Sequence, residues 1–316
     1  MALLKRLSYF VAAFFVLLVQ KKINARELHG QAVKKGLLEP ATLFGKKSEF
    51  EKAVSALMNP EFHVDEALGG QDYTNNWAVY VAGATEPVKF AGATAKQVVY
   101  GVPNLKAGQI SAAIVSVANR GGGGSLDTQN FIMAGWLVSP GDYGDTRTHF
   151  FTYWTADGSR NTGCLDMRCW GFILANNSQL IPGSVIDNYY DISIKIFKDQ
   201  NTGDWWLHYG QGDNLTPMGY FSKWIFTSLQ QEATELQFGG LVSFNSSYTS
   251  PPMGSGHFPS KGEPAAASFK SVRFVDANGL ETPIKDIRYN VNNVKCYDLG
   301  KFVFDHFLYG GPGGCK

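Results

Sequence analysis

A chain of 316 residues with 35 glycines, 13 prolines and 14% aromatic residues has the length of one large domain or two small ones. Its composition suits many short strands joined by tight turns. A formal net charge of +1, with no Lys/Arg cluster, leaves no electrostatic footprint for nucleic acid and argues against that class of partner.

Lys5 and Arg6 precede an apolar run from Leu7 to Val19, which has the length of a signal-peptide core and falls short of a comfortable bilayer span. Residues 1–25 are therefore expected to be a signal peptide cut after Ala25. Lys21 and Lys22 leave an uncleaved signal anchor as the alternative. No later stretch is long and apolar enough to span a membrane, so the mature chain is expected to be secreted, with no membrane span.

Residues 26–70 differ in composition and read as a short propeptide-like or linker segment. Within them Ser48 and Glu51 form a capping box, and Phe50, Val54 and Leu57 follow at helical spacing, predicting one docked helix of about three turns. From 71 to 316 the chain reads as a single β domain. Strands are expected at Trp77–Val81, Gln97–Gly101 and Ser111–Val117. The glycine run Gly121–Gly124 lacks the Lys-Ser/Thr of a phosphate loop and is read as a hairpin loop.

Phe131–Val138 is almost wholly apolar, as in a strand covered on both faces, and Ser139-Pro140-Gly141-Asp142 turns the chain into a return strand, Thr148–Thr155. By alternation Phe131, Met133, Gly135 and Leu137 share one face, and Ile132, Ala134, Trp136 and Val138 the other. A later hairpin alternates Ile192, Ile194 and Ile196 with polar residues, turns at Asp199–Asp204 and returns through Trp205–Tyr209. The spacing of segments favours an all-β, antiparallel two-sheet sandwich.

Four cysteines in an exported chain are read as two disulfides, nearest-neighbour pairing being the simplest of three connectivities; a zinc site competes, without Cys-x₂-Cys spacing or a nearby His. Asn176, Asn214 and Asn245 head glycosylation sequons, Pro217 weakening the second. There is no GxSxG elbow, no HExxH and no calcium-type carboxylate cluster, so neither metal nor cofactor is expected. Ser255 and His257 stand two apart in a Gly/Pro-rich turn, a poor arrangement for a nucleophile and its base. His149 and His208, in strands beside aromatics, are read as structural.

The runs AGW, YGDTRTHFFTYWTADG and TGC…C…GF, followed in order by FKDQNTGDWWLHYG, FGGLVSF, PPMGSGHFP, CYDL and GGPGGC, closely resemble the neprosin family of plant proteins over roughly Asn76 to Cys315. The resemblance implies a lectin-like β-sandwich with a cleft on one concave sheet, a secreted protein of the extracellular space or cell wall, and disulfides Cys164–Cys169 and Cys296–Cys315. It also implies a glutamic peptidase in which two glutamates cleave after proline at acid pH without metal. One stands immediately before Ala-Gly-Trp, the other after Gly-Gly; here those positions are Met133 and Leu241. Neither side chain can move a proton, so the reading is an inactive homologue that keeps its cleft for a peptide or cell-wall ligand. Tyr143, Tyr153 and Trp154 are candidate aromatic contacts, with sandwich core as the competing assignment. The alternative is an active prolyl endopeptidase using other acid/base residues. Glu235, Asp142 and Asp145 are the carboxylates weighed for that role and lie too far along the chain from the two positions.

Overall fold

The computed structural model describes residues 47–58, 73–84, 89–121 and 128–316. The expected signal peptide, most of the 26–70 segment, the tip of the glycine loop and the Leu57 side chain lie outside the described residues. From Ser48 onward the chain forms one compact unit.

Strands are numbered in chain order. β1 (Tyr73–Gly83), β3 (Gln109–Asn119), β4 (Asn130–Val138), β5 (His149–Thr155), β6 (Cys164–Leu165), β11 (Glu235–Asn245) and β14 (Arg288–Val291) make one antiparallel sheet in the order β14-β1-β11-β3-β4-β5-β6. β2 (Gly92–Val98), β7 (Phe172–Leu174), β8 (Asp191–Lys198), β9 (Trp205–Gly210), β10 (Thr216–Phe221), β12 (Ala267–Val275), β15 (Asp298–Leu299) and β16 (Phe307–Gly310) make the second, in the order β15-β16-β12-β2-β8-β9-β10-β7, with β13 (Glu281–Pro283) paired to β12. The expected two-sheet antiparallel sandwich is thus the observed fold. The hairpin pairings are present too: Asn119 stands opposite Asn130 at the glycine loop, and Lys198 opposite Trp205.

Side-chain alternation places the core. On β4, Ile132, Ala134 and Trp136 point between the sheets, where they share a buried cluster with Ile192, Ile194, Ile196, Trp205 and Leu207 of the second sheet. Phe131, Met133 and Leu137 point the other way and are buried as well, within a second cluster that contains Phe50, Ala53 and Val54. Those three belong to helix α1 (Glu49–Met58), which lies on the outer face of the first sheet. The double burial inferred for Phe131–Val138 therefore has a definite cause: one side meets the partner sheet, the other the helix.

α1 forms where the capping box placed it. Ser48 N–H donates to Glu51 Oε2 at 2.9 Å and Glu51 N–H to Ser48 Oγ at 3.0 Å. Phe50, Ala53 and Val54, at i, i+3 and i+4, make its apolar stripe. Two boundaries differ from expectation. The strand foreseen at Gln97–Gly101 is β2, running from Gly92 to Val98. Its small residues are poor strand formers, but β2 is central, paired to both β8 and β12, and a Cβ on Gly92 would lie 2.3 Å from the Ile196 carbonyl oxygen. The turn after β4 is a one-turn helix, α2 (Pro140–Tyr143), with proline in its first turn and Gly144 at φ 80° closing it.

Both disulfides join the nearest neighbours, Cys164 to Cys169 and Cys296 to Cys315. The second ties β15 and β16 to the body, helped by Ser250, whose Oγ accepts the Cys315 N–H at 3.0 Å. Among the described residues no helix is long and apolar enough to cross a membrane.

Candidate functional site

The outer face of the first sheet is divided between α1 and an open pocket. α1 covers the end where β3 begins and β4 finishes. Asp142, whose carboxylate is almost fully buried, accepts the Glu49 and Phe50 N–H groups at 2.7 and 3.0 Å, so an aspartate from α2 caps a helix far away in sequence. Glu49 Oε2 accepts the Gly108 N–H at 2.8 Å, Glu51 Oε1 the Leu165 N–H at 3.0 Å, and the Ala53 carbonyl receives Asn75 Nδ2 at 3.0 Å. Phe50 inserts between Phe151 and Tyr153, with ring centroids 5.0 and 5.5 Å away in edge-on geometry. Burial raises the Glu49 carboxyl above its usual range, against the lowering effect of the Gly108 hydrogen bond.

Toward the opposite end of the same face, where β3 ends and β4 and β11 begin, lies a pocket of about 160 Å³. Met133 and Leu241 both line it, with Trp77, Phe131, Arg120 and Gln237 among their neighbours. Met133 stands opposite Ser116 and Leu241 opposite Ala112, so the two flank β3 from either side with a four-residue stagger, about 13 Å along the strand. They are 3% and 1% exposed. The Gly-Gly before Leu241 lets β11 approach β1: Gly239 has φ 149°, and a Cβ there would sit 2.2 Å from the Ala78 carbonyl oxygen. Among the described residues, none of those lining the pocket is an Asp or Glu. Glu235, at the start of β11, is held by Arg120 at 2.8 Å and by Gln237 Nε2 at 2.7 Å.

The three candidate aromatics separate. Trp154 is a correction: it points into the inter-sheet core, edge-on to Phe226 at 5.9 Å, because it alternates with Tyr153 along β5. Tyr153 is on the cleft side but fully buried beneath Phe50, its hydroxyl hydrogen-bonded with Ser159 at 2.8 Å. Tyr143 is in a polar cluster at the foot of α1. It stacks on His149 at 3.8 Å, donates its hydroxyl to Asp166 at 2.8 Å and has the Arg168 guanidinium 5.3 Å from its ring. Burial raises the Asp166 carboxyl to about 6, opposed by the hydrogen bonds from Tyr143 and the Thr152 N–H.

The remaining polar candidates have structural partners. The two ring nitrogens of His149 face the Gly183 carbonyl at 2.7 Å and Asp145 at 3.0 Å. Ser255 Oγ accepts the His257 backbone N–H at 3.3 Å, so that pair forms a turn. Asn176 and Asn214 are exposed, whereas Asn245 is 8% exposed and accepts the Ser247 N–H. The residues that sequence reasoning passed over are Arg120, Gln129, Gln237 and Trp77 on the pocket wall and Glu49 at the helix, while Asp142, weighed as an acid/base group, serves as the cap of α1. Parity along β11 was a usable signal for Gln237, which shares a face with Leu241; nothing local marks the others.

These features define an antiparallel β-sandwich with a part-covered cleft on one sheet. The chain belongs to the Neprosin family, whose model matches residues 107–312, and is on that ground a peptidase-related protein. Among solved structures it is similar to Scytalido-glutamic peptidase bound to a peptide-based transition state analog (TM-score 0.41, 10% identity, 76% of this chain and 99% of that one). It is also similar to SCP-B, a member of the Eqolisin family of peptidases, in complex with the tripeptide Ala-Ile-His (TM-score 0.39, 10% identity, 75% and 98%).

Proposed function

We propose that this chain is a secreted, catalytically inactive member of the Neprosin family that uses the pocket beside α1 as a binding surface for an extended peptide or a peptide-like cell-wall ligand. The observation that carries the proposal is that Met133 and Leu241 both line one pocket, with no carboxylate among its described lining residues. A thioether and an isobutyl group can neither take a proton from water nor return one to a leaving amine. Loss of one acid/base group removes a factor of roughly 10² to 10⁴, and loss of both removes the mechanism. Glu235, at the start of the strand that carries Leu241, is engaged by a guanidinium that also lines the pocket.

The walls suit a peptide. Trp77, Phe131, Met133 and Leu241 supply apolar surface, while Gln129, Gln237 and Asn290 bring amides, which both donate and accept as a peptide backbone does. Digestion of a proline-rich peptide across acid pH tests the reading, with the natural protein beside Met133→Glu/Leu241→Glu. The natural protein is expected to leave the peptide intact. Turnover that survives purification and vanishes on mutation of the pocket would overturn inactivity; recovery of cleavage in the double variant would show that the frame of the site persists.

A further inference from the structure

The pocket on the first sheet is polarised along its strands. Leu241 and Trp77 stand level with Ala112 of β3, at the end nearer α1; Gln237 and Met133 flank Ser116, and Phe131 stands opposite Ala118. Arg120 and Gln129, which also line the pocket, come next beyond the Asn119–Asn130 pair. The end near α1 is therefore apolar, while the far end gathers a guanidinium and the carboxamides of Gln129 and Gln237.

The hydrogen bonds at that far end are incomplete in a specific way. Arg120 uses one edge of its guanidinium: Nε and Nη2 donate to Glu235 at 3.1 and 2.8 Å. Its Nη1 has no hydrogen-bond partner among the described residues, and the side chain is 43% exposed. A guanidinium fixed along one edge presents the other as a fork for a planar anion. Gln129 Oε1 is buried without a hydrogen-bond partner, a deficit that a ligand N–H would remove. Gln237 gives its Nε2 to Glu235 at 2.7 Å, which leaves its carbonyl oxygen to accept. The same end of the pocket thus offers a fork for an anion and, beside it, carbonyl oxygens for N–H donors. Glu235 itself is not among the lining residues, its carboxylate being taken up by Arg120 and Gln237.

We propose that the pocket takes the C-terminal end of a peptide: the terminal carboxylate on Arg120, the last backbone N–H on Gln129 Oε1, and apolar side chains on Phe131 and Met133. This rests on the reading of the pocket as a peptide-binding surface and adds which part of the peptide it holds. A chain terminus carries an anion and an N–H donor within one residue, the pairing that the far end of the pocket lacks. A peptide's N-terminal ammonium would meet a guanidinium of like charge, and a fatty acid would supply the carboxylate but leave Gln129 Oε1 unpaired.

Isothermal titration of the full secreted protein at pH 6 with the peptides Ac-Ala-Ala-Leu, Ac-Ala-Ala-Phe and Ac-Ala-Ala-Pro, each as free acid and as C-terminal amide, tests the assignment. At least one free acid is expected to bind about tenfold more tightly than its amide, the low end for a charge-assisted pair at a part-exposed guanidinium. Arg120→Gln is expected to abolish that preference, and Gln129→Leu to weaken acid and amide alike. If Arg120→Gln fails to fold because Glu235 loses its cation, Arg120→Gln/Glu235→Gln removes both charges and decides. Equal binding of acids and amides would overturn the proposal while leaving peptide binding intact. A preference for the acids that survives in the Arg120 variants would overturn it too, by placing the carboxylate elsewhere. Dodecanoate binding more tightly than every peptide would assign the pocket to a fatty acid instead. Binding of none of the peptides would overturn the peptide-binding reading itself, and this proposal with it.

Discussion

Placing a single carboxylate on the cleft floor probes how dry that floor is. Met133 is 3% exposed, among Phe131, Tyr153 and Leu241 in an apolar cluster beside α1. In Met133→Glu the new carboxyl would enter this environment alone, and desolvation should raise its folded pKa to about 6 or above, from the unfolded value of about 4.3. The folded state then holds the proton more tightly than the unfolded state, so stability falls as pH rises through that interval. The slope is about 1.4 kcal/mol per pH unit, or about 2.7 kcal/mol lost between pH ~4.3 and ~6.3. A further pH-independent loss of about 1–3 kcal/mol comes from burying the neutral acid without a hydrogen-bond partner. Urea denaturation of variant and natural protein in parallel, from pH 3.5 to 7.5, isolates the new group, because titrations common to both cancel in the difference. A difference in stability that stays constant across this range would refute the reasoning and mean that water reaches the carboxylate at position 133.

Phe50→Ala should release α1 before it unfolds the sandwich. A buried Phe-to-Ala change costs about 3–5 kcal/mol, and a helix of 10 residues has little stability of its own; hydrogen exchange should show lost protection over Glu49–Val54 with the inter-sheet strands unchanged, and uniform loss across the protein would contradict a separable helix. Asp166, raised to about 6, makes the folded state bind its proton more tightly than the unfolded one. Stability from this group is therefore fullest below pH ~4 and declines toward pH ~6, by about 2–3 kcal/mol. Asp166→Asn should flatten that part of the melting-temperature profile between pH 4 and 6.5, and an unchanged profile would assign the decline elsewhere.

Several parts of this protein are legible from local sequence because local physics determines them. Alternation along Phe131–Val138 assigned every β4 side chain to its face, since successive strand residues must point oppositely. The Ser48–Glu51 capping box marked the start of α1, since both hydrogen bonds close within one turn. Met133 and Leu241 could be located from the motifs that flank them, and the pairing that the family resemblance implied for the cysteines is the one observed. Other decisions belong to tertiary structure. That Met133 and Leu241 share one pocket depends on β3 lying between β4 and β11, a register no local pattern encodes. Trp154 and Tyr153 are equally aromatic, and only the sheet's position between partner sheet and helix sends one to the core and buries the other under Phe50. Asp142 becomes the cap of α1 because the chain brings α2 beside a helix more than ninety residues earlier. Phe197, Trp206, Tyr220 and Ile173 likewise form one row across the second sheet only once β7, β8, β9 and β10 pair, because residues dispersed from Ile173 to Tyr220 become neighbours through interstrand hydrogen bonds and not through their order in the chain.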